Sequence, residues 1–72
     1  MQHAQLRYRS DTQRWSITAG GKEHGVHCGE SFILNTGGAR IPCRLELADT
    51  WYVVIDEVTL ALRPRQTYAI LI

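Results

Sequence analysis

The chain has 72 residues, of which 44% are hydrophobic and 21% charged. That is the balance of one small globular domain spanning residues 1–72, not of a disordered or fibrous chain. The net charge of +1 excludes a diffusely basic nucleic-acid coat, and no apolar run is long enough for a helical membrane span.

Met1–Gln5 is polar and is expected to fray. In Leu6–Arg9, Leu6 and Tyr8 face one way and Arg7 and Arg9 the other. Trp15–Ala19 repeats the pattern, with Trp15 and Ile17 opposite Arg14, Ser16 and Thr18. Period-two alternation is the mark of a half-buried strand. The turn formers Ser10–Gln13 between them predict a hairpin.

Gly20–Gly25 holds three glycines and reads as a loop. Gly29 reads as a tight turn before a strand over Ser31–Asn35, with Phe32 and Leu34 on one face. Gly37–Gly38 suits a hairpin reversal. Ala39–Ala48 is the longest alternating run. Ile41, Cys43, Leu45 and Leu47 share one face; Arg40, Pro42, Arg44 and Glu46 share the other. Pro42 lacks an N–H and so predicts an edge, a bulge or a strand start.

Trp51–Asp56 pairs back after a turn at Asp49–Thr50. Val58–Leu62 reads as a short strand or a single helical turn, stopped by Pro64. Tyr68–Ile72 closes the chain as a strand. No segment keeps a helical period over ten residues. The expectation is an all-β fold, five to six antiparallel strands in a small SH3-like barrel, with an OB-type barrel as the alternative. Tyr8, Trp15, Phe32, Trp51 and Tyr68 are the expected aromatic core. The apolar C-terminal strand would be sticky as an edge. It is therefore paired inside the barrel or paired with another chain, which motivates a homodimer.

Cys28 and Cys43 are too few for a disulfide scaffold, and the N-terminus lacks a signal-peptide pattern. Free thiols and a cytoplasmic location are expected.

From Val26 onward the order of turns and strands resembles an SH3-type barrel. The family's Ala-Leu-Tyr-Asp-Tyr segment, paired Trp and Pro–Tyr element are missing, which argues against proline-rich peptide binding. A closer resemblance rests on His27–Cys28–Gly29–Glu30, Ile41–Pro42–Cys43–Arg44–Leu45–Glu46 and Trp51–Tyr52. These are similar to a small bacterial family of unknown function. Its members have a His-Cys-Gly-acid turn, a Pro-x-Arg-x-Glu strand and a Trp-Tyr strand. The resemblance implies a bacterial, mobile-element origin and brings no known activity.

Candidate chemistry is sparse. His24, His27, Cys28 and Cys43 are soft metal ligands, but neighbouring His27 and Cys28 in a strand would point to opposite faces. A Cys28–His27 nucleophile would need an imidazole held against the thiol, which adjacent residues seldom provide. The simpler reading makes Cys43 a buried thiol and Cys28 a turn residue, so no metal or cofactor is expected. A domain this small leaves little volume for a deep substrate cavity.

Seven of the eight basic residues are Arg, a residue suited to specific bidentate contacts. Arg40, Arg44 and Tyr52, with Arg7 and Arg9 beside them, are the expected contact surface. The predicted function is a non-enzymatic protein-binding module. Nucleic-acid binding by the same Arg/Tyr face is the alternative. An oligomeric enzyme or metal protein centred on His27 and Cys28 is the third reading.

Overall fold

The computed structural model describes residues 1–72 as eight strands and no helix. They are β1 (His3–Arg9), β2 (Arg14–Ala19), β3 (Lys22–Gly25), β4 (Ser31–Thr36), β5 (Ala39–Leu47), β6 (Trp51–Ile55), β7 (Val58–Ala61) and β8 (Tyr68–Leu71). All belong to one antiparallel sheet in the order β3-β2-β1-β8-β4-β5-β6-β7. The all-β expectation holds.

Two details of that expectation change. There are eight strands, not five or six, and the sheet stays open instead of closing into a barrel. β3 and β7 are its two edges and do not touch each other. The extra strands have a common cause. Two-residue turns at Gly20–Gly21 and Asp56–Glu57 fold back segments of only four residues. Alternation over four residues is too short to stand out from a loop, so Gly20–Gly25 was expected to be one. Val58–Ala61 resolves as a strand.

The sheet curls so that its inner face closes on itself. Leu6, Trp15, Val26, Leu45 and Val53 are fully excluded from solvent, and Phe32, Leu34, Cys43, Leu62 and Ile70 join the same cluster. Tyr8, Trp51 and Tyr68 pack against it. The Trp15 ring lies between Tyr8, at 5.5 Å between centroids, and Tyr68, at 5.8 Å. Its indole Nε1 is buried without a hydrogen-bond partner, so packing outweighs an unsatisfied donor that costs about 1–3 kcal/mol.

Backbone pairing reaches the N-terminus, which the polarity of Met1–Gln5 does not suggest. Gln2 and Ile72 exchange both backbone hydrogen bonds, at 2.8 and 3.0 Å. β1 begins at His3, and Ala4 is buried. The polarity of Met1–Gln5 misleads because alternate residues, Gln5 among them, face solvent. The C-terminal strand takes the first of its two expected arrangements: β8 lies between β1 and β4 and is paired on both sides. Its adhesive backbone is satisfied within the chain.

Pro42 sits in β5 opposite Ile33. The β5–β6 ladder covers Arg44–Leu47, so Pro42 has a strand neighbour on one side only. That is the local edge its missing N–H demands. At the far end of the β4–β5 hairpin, Gly37 and Gly38 have φ of 56° and 80°. Both are left-handed, as a primed two-residue turn requires.

Candidate functional site

The outer face of the sheet carries two separate regions. The first spans β1–β3. Arg7 Nη2 lies 3.5 Å from Glu23 Oε2, and Arg9 Nη1 also pairs with Glu23. Arg9 further grips Asp11 through Nε and Nη2, at 3.2 and 3.1 Å. The hydrogen bond from Arg9 holds the Asp11 carboxyl below its ordinary value, and Asp11 in turn raises the Arg9 guanidinium. Cross-strand register sets this up, because Thr18 opposes both Gln5 and Glu23 and brings Glu23 within reach of β1.

The second region spans β8, β4, β5 and β6. In-register rows put Leu71 beside Ile33 and Ile33 beside Pro42; Ser31 opposes Arg44, and Arg44 opposes Val54. These residues, with Asp56 and Ile72, line an open groove of about 530 Å³. Leu71 is only 2% exposed although it points away from the inner core. Arg44 Nε donates to Glu46 Oε2 at 3.0 Å, and Tyr52 stands opposite Glu46, half-buried. Pro42, Arg44 and Glu46 alternate along β5, so all three positions of the Pro-x-Arg-x-Glu pattern share this solvent face.

The five expected contact residues therefore do not form one surface. Arg44 and Tyr52 belong to the groove region. Arg40 is on the same face of β5, four residues or roughly 13 Å from Arg44. Arg7 and Arg9 stand apart, because β8 and β4 intervene between β1 and β5. The groove residues Ile33, Pro42, Val54 and Leu71 were missed. A signal for them exists in the sequence. Phe32–Leu34, Trp51–Ile55 and Ile70–Ile72 are continuous apolar runs, and strands apolar on both faces have two surfaces to cover.

The His27–Glu30 turn has a structural role. The Glu30 carboxylate accepts the His27 N–H at 3.2 Å, and the Glu30 N–H donates to the His27 carbonyl at 3.2 Å. Gly29, with φ of 89°, donates to the Leu45 carbonyl at 2.7 Å. The His27 ring lies 3.4 Å from Arg14 Nη1. No three His, Cys, Asp or Glu side chains gather as a metal would require. Cys28 is exposed and Cys43 buried, both as free thiols. Burial pushes the Cys43 thiol up to about 11, and its Sγ lies 3.5 Å from the Phe32 carbonyl.

Comparison with known proteins gives two matches. A family described as "Domain of unknown function (DUF5348)" matches residues 4–72. The fold is similar to a crystal structure of a protein from Ruminococcus gnavus solved as a structural-genomics target. The two share 26% identity over 97% of this chain and 99% of that one, with a TM-score of 0.78. No curated protein matches the chain.

Proposed function

The chain thus belongs to the family of unknown function DUF5348, and we propose that it acts as a non-enzymatic protein-binding module of the bacterial cytoplasm. The binding surface in this reading is the outer groove of β4–β6. One observation carries it: an apolar floor of Ile33, Pro42, Val54 and Leu71 lies on a solvent-facing sheet surface, rimmed by Arg44 and Asp56. Apolar centres with polar rims are the usual anatomy of a protein contact. Glu46 holds Arg44 through Nε alone, so both Nη groups are left for an acceptor on the partner. Tyr52 adds a large surface at low entropic cost. Arg7 and Arg9 have no part in it, being engaged by Glu23 and Asp11.

The nucleic-acid reading has less support. Glu46 and Asp56 stand beside Arg44 on the groove face, and carboxylates repel phosphate. The test is a photo-crosslinking residue at Val54, applied in native lysate. Crosslinking to one defined protein, lost in Arg44→Glu and absent for the same probe at Lys22, supports the reading. An oligonucleotide adduct whose yield falls steeply with salt would instead favour nucleic acid.

A further inference from the structure

The β7 edge has a geometry that a second copy of this chain completes. The two-residue turn at Asp56–Glu57 closes Ile55 against Val58. In such hairpins the closing pair is hydrogen-bonded, and bonded pairs then alternate along the ladder. Val58 and Leu60 therefore bond to β6, as does Leu62, whose N–H donates to the Trp51 carbonyl at 3.1 Å. The N–H and C=O groups of Thr59 and Ala61 point outward from the sheet edge. β7 touches no strand other than β6.

The side chains on this edge are unguarded. Leu60 opposes the core residue Val53, so Val58 and Leu60 face the inner side. They nonetheless stay 65% and 46% exposed, because no neighbouring strand covers them. The strand Val58–Ala61 contains no charge, no proline and no glycine. Edges of that kind recruit another strand.

Charge and register select the partner. Acidic Asp56 and Glu57 precede β7, and basic Arg63 and Arg65 follow it. A parallel strand would oppose like with like. An antiparallel two-fold partner opposes acid with base. The two-fold also requires facing residues to lie on the same side of the sheet. Centring it on Leu60 meets every condition. Thr59 then faces Ala61 of the second copy, and the two related pairs exchange two backbone hydrogen bonds each. Val58 packs beside Leu62 of the second copy on the inner side. Glu57 faces Arg63 of the second copy on the outer side.

We propose that β7 is an isologous interface, pairing antiparallel with β7 of a second copy about Leu60, with reciprocal Glu57–Arg63 ion pairs. The contact lies on the sheet edge and does not depend on the groove being a binding site.

The test is sedimentation velocity on the full chain from micromolar to several hundred micromolar. The expected result is a concentration-dependent shift from 8.2 kDa to twice that mass. Leu60→Lys puts two ammonium groups on the axis and should hold the protein monomeric. Its far-UV circular dichroism should be unchanged, since Leu60 is half exposed. Glu57→Arg and Arg63→Glu should each weaken the dimer at least tenfold, and the double charge swap should restore it. A wild type that stays monomeric throughout overturns the interface. A dimer indifferent to Leu60→Lys also overturns it, and failure of the double swap to rescue overturns the register.

Discussion

The two edges of the sheet have the same length and opposite chemistry. At β3 the inward-facing positions are Lys22 and His24, opposite Ala19 and Ile17. At β7 the equivalent positions are Val58 and Leu60, opposite Ile55 and Val53. A buried or paired edge has no use for an ammonium pointing inward, whereas an edge that must stay alone is protected by one. The chain thus blunts one end of its sheet and leaves the other adhesive. Glu23 strengthens the contrast by tying Arg7 and Arg9 across the outer side of the β3 end.

The largest perturbation asks whether the two ends belong to one folding unit. Trp15 is on β2, next to the guarded edge, yet it shares a cluster with Val53 beside the open one. Trp15→Ala should cost about 3–5 kcal/mol, the usual penalty for deleting a buried large aromatic. Urea unfolding followed by circular dichroism and by Trp51 fluorescence should give coincident curves. Separate curves would mean that the two ends melt independently.

A second experiment enters the shared core from the strands nearer the open edge. Cys43 lies in β5, and its thiol is raised from 9.0 to about 11. Between those values the unfolded chain ionises first, so stability is intact below pH 9 and falls as pH rises toward 11. The loss should be on the order of 2 kcal/mol, because each pH unit between the two values contributes about 1.4 kcal/mol at most. Comparing denaturation at pH 8 and pH 10.5, Cys43→Ala should remove this part of the slope. Cys28→Ser should leave it in place, since Cys28 is exposed.

The mildest change in stability should bring the clearest change in assembly. Lys22→Val with His24→Leu rewrites β3 in the pattern of β7. Both positions are exposed, and surface changes of this kind usually move stability by less than about 0.5 kcal/mol. With two adhesive edges, light scattering should show open-ended association beyond a dimer. A variant with the wild-type size distribution would mean that the inward charge is not what guards β3.

Much of the architecture was legible from residue order. Alternation placed β1, β2 and β5, and the turn formers on either side bounded β4 and β6, whose apolar residues fall on both faces. Gly37–Gly38 and Ser10–Gln13 marked their hairpins for the same local reason. The failures lie where local pattern carries no information. β3 has no apolar residue to alternate, and Val58–Leu62 fits a short strand and a helical turn equally well. For β8 the sequence leaves two partners open, another strand of the fold or another chain, because pairing between distant segments is not written in either segment. Arg7 and Arg44 looked like neighbours because both are Arg on outward faces, and only strand order separates them. The groove was half legible. Pro42, Arg44 and Glu46 read as one face, but the outer residues Ile33 and Leu71 sit in strands whose neighbours are also apolar, so nothing local marks their side as a surface. The His27–Glu30 turn reads as chemistry in sequence, yet its side-chain and backbone hydrogen bonds serve to close the turn.

The paired bonds between Gln2 and Ile72 place the two chain ends side by side in the middle of the sheet. Topologically the molecule is nearly a ring. The β1–β8 ladder joins the most distant segments of the chain, so forming it requires the largest loop closure in the fold. Contacts of such long range are the slow ones to form. A covalent bridge between the ends would remove most of that entropic barrier and make the pairing local. Conversely, anything fused at the C-terminus emerges beside Ile72, on the lip of the groove.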